Sequence, residues 1–391
     1  MQPPVYLDHA ATTPVRPEAR DAMLPYLGEQ AFGNPSSPHQ FGRIARAGLD
    51  QARRQVAAGL GADPAHVYFT SGGTEADNLA VTGAALAARD RGRPMRVAVS
   101  AIEHKAVLAA AHAVAHLGGA EETIPVTPEG MIDLDALDRI LATRPGLVSL
   151  MWVNNETGVI QPVVEAGRRC QAAGVLFHTD AVQAFGNLPI HFGQLPCDLL
   201  TVSAHKIGGP KGVGALLVRN RETIGPLIQG GSQQGGLRPG TENIAGAVGF
   251  GRAAALAAEE QPEHACRLAG LRNLLRERLL GAVPDLLVVG ESAERVSHIL
   301  NVCVPGADSE ALLMHLDLAG VGVSSGSACT TGAVEPSHVL VAMGIPRKLA
   351  VGALRFSLGR DTAAAEIERV GEVFPRVVAK VRSLAGVLAR A

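Results

Sequence analysis

Short apolar runs that end in a polar residue, each followed by a stretch with helical spacing, recur through the first two-thirds of the chain. The runs are HVYFT before SGGTEADN, RVAVS before AIEHKAV, LVSLMWV before NNETG, GVLFHT before DAVQ, and DLLTVS before AHK. This alternation predicts an α/β fold with a mostly parallel central sheet and flanking helices. The remaining third has another texture. IAGAVGFGRAAALAAEE and LAGLRNLLRERLL read as consecutive helices leading into strands DLLVV, HILNVCV, VGVS and LRFSL, an order that predicts a smaller α+β domain. The boundary is set inside the helical stretch, with a large domain over 16–258, a small one over 259–391, and residues 1–15 packing on the small one.

In open α/β sheets, ligands bind beyond the carboxyl ends of the strands. The polar residues that end or follow the apolar runs therefore converge on one crevice: Thr74, His104, Asn155, Asp180, Gln183, Ser203, His205 and Lys206. SGGTE reads as an anion cradle, since its glycines allow close backbone approach and Thr74 and Glu75 fall at a helix N-terminus. It is not a nucleotide fingerprint. No G-x-x-x-x-G-K-[ST] occurs, and neither SGGTEADN nor GGSQQGG is a G-x-G-x-x-G opening a helix after a strand.

Charge narrows the partners. Among 391 residues, 35 basic and 37 acidic side chains give a net charge of −2, and the basic ones are scattered, so no nucleic-acid or anionic-membrane footprint is expected. The opening MQPPVYLDHAATTP lacks a signal pattern, and no apolar run approaches the ~18 residues of a spanning helix, so a cytoplasmic location is expected. Cysteines at 170, 197, 266, 303 and 329 form no C-x-x-C pair, which argues against a disulfide framework and an intrinsic metal site. Cys170 and Cys303 read as buried filler. Cys329 differs, because SSGSACTTGAVEPS offers a core almost nothing to bury; an ordered stem carrying a mobile tip over 327–335 is expected.

Only five of the 35 basic residues are lysines, at 105, 206, 211, 348 and 380. An amine that must condense with an aldehyde cannot be replaced by guanidinium, and only Lys206 directly follows a strongly apolar strand. Asp180, also at a strand end, supplies the carboxylate expected opposite a pyridinium nitrogen. With the cradle at Thr74, these residues point to pyridoxal 5'-phosphate. His104 would stack on its ring, Ser203 and His205 would complete the phosphate shell, and Gln183 would bond the phenolic oxygen.

YLDHAATTPV, GNPSSPH, SGGTEADNLA, EHKAV, NNETGVIQP, DAVQ, SAHKIGGPKGVGAL, RPGTEN, SSGSACT, EPSHVL and LRFSLGR occur in an order and spacing that resemble the cysteine desulfurases, class-V, fold-type-I pyridoxal-phosphate enzymes. The SSGSAC loop resembles the NifS/IscS group. The resemblance implies that Lys206 holds the cofactor, that Gly73 joins Thr74, Ser203 and His205 at the phosphate, and that Asn155 and Arg355 receive the substrate carboxylate. Gly73 stands where alanine is common in such enzymes. It further implies that Cys329 accepts sulfur from L-cysteine as a persulfide, with alanine as the other product, and that Thr241 reaches the neighbouring phosphate in a homodimer. Cys329 would be at most a transient iron–sulfur ligand, and an iron–sulfur scaffold, a tRNA-thiolation relay or another sulfur acceptor is the expected protein partner. A selenocysteine lyase would share all these residues. An aminotransferase would share Lys206 and Asp180 but give Cys329 no role, and a non-enzymatic sulfur carrier would need Cys329 alone.

Overall fold

The computed structural model of the chain describes residues 3–325 and 335–388. Its strands are β1 Val5–Tyr6, β2 Val67–Thr70, β3 Arg96–Ser100, β4 Ala120–Ile124, β5 Leu147–Ser149, β6 Leu176–Asp180, β7 Leu199–Ser203, β8 Gly214–Val218, β9 Leu287–Val288, β10 Ile299–Cys303, β11 Val321–Gly322 and β12 Ala353–Ser357. Seven of them form one sheet in the order β2-β8-β7-β6-β5-β3-β4. Within it only β8 is reversed, pairing antiparallel with both β2 and β7. The expected α/β architecture, a mostly parallel sheet with flanking helices, is thus present.

All five apolar runs are strands of this sheet, but two strands carried no clear signal. β4 (AEETI) is an edge strand whose alternating exposed positions are charged or polar. β8 (GALLV) is buried throughout and hides behind a glycine-rich approach. Its first residue must be small: a Cβ on Gly214 would lie 2.7 Å from the Gly72 carbonyl carbon, so β8 is pressed against the turn that opens the helix Gly73–Asp90.

The stretch read as consecutive helices is one helix of 39 residues, Ile244–Ala282, with Pro262 inside it. Pro262 is exposed, so the hydrogen bond it removes lies on the solvent side and the helix continues past it. Ala247, Phe250, Ala253, Ala254 and Ala257 pack into the core around the seven-stranded sheet. Leu268, Leu275 and Leu279 pack into a second core with β10, β12 and the helix Ala364–Leu388. The second core is backed by an antiparallel sheet, β12-β10-β9. We propose that the two domains meet along this helix.

The N-terminal segment crosses between the cores. β1 pairs in parallel with β11, and Val5 and Leu7 lie in the second core, but Ala10 lies in the first. Beyond it, Thr13 and Arg16 donate backbone hydrogen bonds to His205 and Gly208. Among the described residues no helix is long and apolar enough to cross a membrane.

Candidate active site

The carboxyl ends of β2, β3, β5, β6 and β7 share one edge of the sheet, and the segments leaving them line a cleft of about 400 Å³. Gly73, Thr74, His104, Asn155, Asp180, Gln183, Ser203, His205 and Lys206 all face it. From the three-stranded sheet comes Arg355 on β12, and from the N-terminal crossing come Ala10 and Ala11.

Each side chain has a local reason for its place. Gly72 caps the helix Gly73–Asp90 without a side-chain hydrogen bond, which leaves first-turn amides for an anion. Glu75 reaches back to accept from the Ser71 amide at 2.8 Å and takes Arg238 Nε at 2.9 Å, fixing that turn. Ser203 Oγ is buried beside it with no hydrogen-bond partner among the described residues. A Cβ at Gly73 would lie 3.1 Å from Val182 Cγ2, so the glycine relieves a crowded wall. His104 is the N-cap of the helix Lys105–His116: its Nδ1 accepts from the Ala106 amide at 3.2 Å, which leaves the proton on Nε2. His205 sits with Nδ1 3.1 Å from Thr12 Oγ1.

Lys206 Nζ donates to the carbonyls of Ala10 and Ala11 at 2.5 and 2.7 Å. Burial lowers its pKa to about 8, Arg355 adds to the fall, and Asp180 and Asp8 oppose it. Asp180 is raised by burial, while the Val182 amide at 2.9 Å, His104 and Lys206 favour its charge. Gln183 donates to the Ala10 carbonyl at 2.9 Å. Arg355 is 4% exposed, with Nη1 on the Asn155 carbonyl at 2.8 Å and Nη2 on Asp8 Oδ1 at 2.7 Å. Its Nε has no partner among the described residues, so that edge of the guanidinium remains for a ligand. The Arg355 backbone pairs in both directions with Ser324.

Two residues that sequence reasoning passed over belong here. Asp8 lay inside the quoted YLDHAATTPV without a role, yet it holds Arg355. Asp77 lies in SGGTEADN four positions after Gly73 and lines the cleft; spacing that puts a carboxyl on the same helix face as a cradle is the signal that marks it. Thr241 is exposed and does not line the cleft. Cys329 and the tip 327–334 lie outside the described residues. Of the other cysteines, Cys170, Cys197 and Cys303 are buried and Cys266 is exposed. Burial pushes the Cys170 and Cys303 thiols up to about 12, and Cys197 up as well, so none of the three is poised as a thiolate. Among the described residues no group of three or more His, Cys, Asp or Glu is placed to hold a metal ion.

The donors fit pyridoxal phosphate: an uncapped helix N-terminus and an unpartnered Ser203 hydroxyl for a phosphate, a buried carboxyl for a ring nitrogen, and an amine of lowered pKa for an aldehyde. Residues 5–370 match the family model described as aminotransferase class-V. The chain is 48% identical over 382 residues to a cysteine desulfurase of Cereibacter sphaeroides, with 97% of each chain covered. It is 42% identical over 384 residues to cysteine desulfurase IscS of Dictyoglomus turgidum, covering 98% of this chain and 97% of that one. A solved NifS-like protein superposes with a TM-score of 0.90 at 34% identity, covering 96% of this chain and all of the other.

Proposed function

The chain belongs to the class-V aminotransferases, among their cysteine desulfurases, and from that premise we propose how its residues share the removal of sulfur from L-cysteine. Pyridoxal phosphate is the cofactor. When bound, it supplies an aldehyde for the substrate's amino group and a ring that accepts the electron pair released at Cα. The observation that carries the assignment is the pairing of Lys206 and Asp180 in one cleft beside the anion cradle.

Thr74, Gly73, Ser203 and His205 hold the phosphate. Asp180 keeps a proton on the ring nitrogen, and His104, tied down through Nδ1, lines the cleft to stack on the ring. Lys206 tethers the cofactor and then, as a free amine, removes the Cα proton; a pKa of about 8 brings the neutral amine within reach of neutral pH, where an ordinary lysine is almost wholly charged. Arg355 takes the substrate carboxylate along its Nε edge, while Asp8 and the Asn155 carbonyl hold its far end. The Cys329 thiolate attacks the substrate sulfur. An S–S bond forms, the Cβ–S bond breaks with its electron pair left on Cβ, and Cβ takes up a proton to become the methyl group of alanine.

The partner reading is also ours. Leu24, Leu27, Phe32 and Phe41 are 50–66% exposed, and the rings of Phe32 and Phe41 lie 5.3 Å apart, an apolar face suited to a second copy of the chain. In such a dimer Thr241 would serve the neighbouring cleft, and the persulfide would pass to a sulfur-acceptor protein of the iron–sulfur or thiolation type.

Borohydride treatment followed by peptide mapping tests the reading. It predicts loss of a visible absorption band, a cofactor fixed to Lys206, and alanine as the product from L-cysteine. A keto acid in place of alanine would indicate transamination.

A further inference from the structure

Asp77 stands on the cradle face of the helix Gly73–Asp90, is 2% exposed and lines the cleft, and its Oδ1 has no hydrogen-bond partner among the described residues. The histidine beside it offers no charge. His178 Nε2 is 3.8 Å from Asp77 Oδ1, but the buried ring is occupied on both sides, by the Ser149 hydroxyl at 2.8 Å and the Thr201 hydroxyl at 3.0 Å. Burial lowers the His178 pKa to about 3, so it is a neutral imidazole.

Two more carboxyls face Asp77 from neighbouring elements. Asp180 ends β6; Glu103 precedes the helix Lys105–His116, with Oε1 accepting from the Met151 amide at 2.7 Å and Oε2 unpartnered among the described residues. Burial, and then the charge of Asp180, push Asp77 well above the usual carboxylate range, against a Thr201 hydrogen bond and with a further push from Glu103. Carboxylates that share a dry cavity cannot all ionise. Asp180 has the stronger claim, with the Val182 amide on its Oδ1 and His104 and Lys206 favouring its charge.

We infer that Asp77 is carried as the neutral carboxylic acid, so that Asp180 can keep its negative charge for the cofactor's ring nitrogen and the cradle one turn away keeps its attraction for phosphate. Asp77 is then a positioning residue, acting through Asp180 and through the field at the helix N-terminus. This rests on the cofactor assignment above. A charged Asp77 would repel the phosphate and raise the proton affinity of Asp180, costing it the negative charge that a ring nitrogen needs.

Infrared difference spectra of holoenzyme near neutral pH, wild type minus Asp77→Asn, test this. The expected result is a carboxylic-acid carbonyl band that shifts on deuterium exchange, with no loss of carboxylate stretches. Asp77→Asn should bind pyridoxal phosphate within about tenfold of wild type in equilibrium dialysis, because asparagine mimics the neutral acid. Lost carboxylate stretches, or affinity weakened beyond that, would overturn the inference. If Asp77→Asn does not fold, Thr201→Val decides: a moved acid band with unchanged carboxylate stretches supports the neutral acid, and altered carboxylate stretches contradict it. The infrared comparison can also be made on protein without cofactor, so a chain that failed to bind pyridoxal phosphate would sink the cofactor assignment while leaving the state of Asp77 measurable.

Discussion

Two cations meet in the cleft from different parts of the fold. Lys206 follows β7 of the large parallel sheet, in a turn that begins where the strand stops. Arg355 sits in the middle of β12, a fully buried strand of the small antiparallel sheet. Lys206 is held by two backbone carbonyls, which accept a hydrogen bond without fixing a charge, so burial and Arg355 lower its pKa. Arg355 is held by a carboxylate and a carbonyl and presents one fixed edge. The same cleft thus contains a cation built to lose its proton and another built to keep it.

The largest effect should come from the first. Lys206→Ala removes tether and base together, and turnover should fall by more than ~10³-fold with the circular dichroism spectrum unchanged. Lys211→Ala, an exposed lysine five positions on, should be mild; equal loss from both would dissolve the distinction between the cations. Arg355→Gln comes next: kcat/KM for L-cysteine should drop roughly 100-fold, mainly through KM. Because Arg355 is the main charge lowering Lys206, the rising limb of the pH profile should also move to higher pH.

Asp8→Asn sharpens the comparison. Asp8 raises the Lys206 pKa, so its loss should shift the same limb to lower pH, the opposite direction, with only a few-fold rise in KM from a guanidinium less firmly held. A shift in the same direction for both variants would mean that the limb does not report Lys206. Smallest is a stability effect. His178 titrates near 3 in the folded chain against an ordinary value near 6.5, so its contribution is complete above pH 6.5 and is lost as pH falls toward 3. His178→Gln should flatten that acid limb in denaturant titrations by up to about 1.4 kcal/mol per pH unit. The raised carboxyls Asp77, Glu103 and Asp180 run the other way and should leave their slope, present above the ordinary carboxylate range, in the variant.

The contrast between the cations also explains what the sequence disclosed. Lys206, Asp180 and Ser203 were legible because a parallel α/β sheet places functional residues where an apolar run ends. Arg355 has no such marker: LRFSL is a buried strand, and only pairing with β10 and the bridge to Ser324 turns its side chain into the cleft. Resemblance, not pattern, picked it out. Asp8 and Asp77 were missed for a related reason, since each acts through a partner far away in the chain, Arg355 and the β6 end respectively. The two stretches read as consecutive helices are one, because Pro262 between them is exposed and costs the helix little continuity.

The central claim is a division of labour in which the Lys206 cleft loosens the sulfur and Cys329 receives it. Its most direct test is a single turnover with ³⁵S-labelled L-cysteine, followed by non-reducing digestion, in wild type and Cys329→Ala. The account predicts label on the Cys329 peptide of wild type, one alanine per label, and in the variant a cofactor spectral change with cysteine but neither label nor alanine. Protein-bound label or undiminished alanine in Cys329→Ala would contradict it.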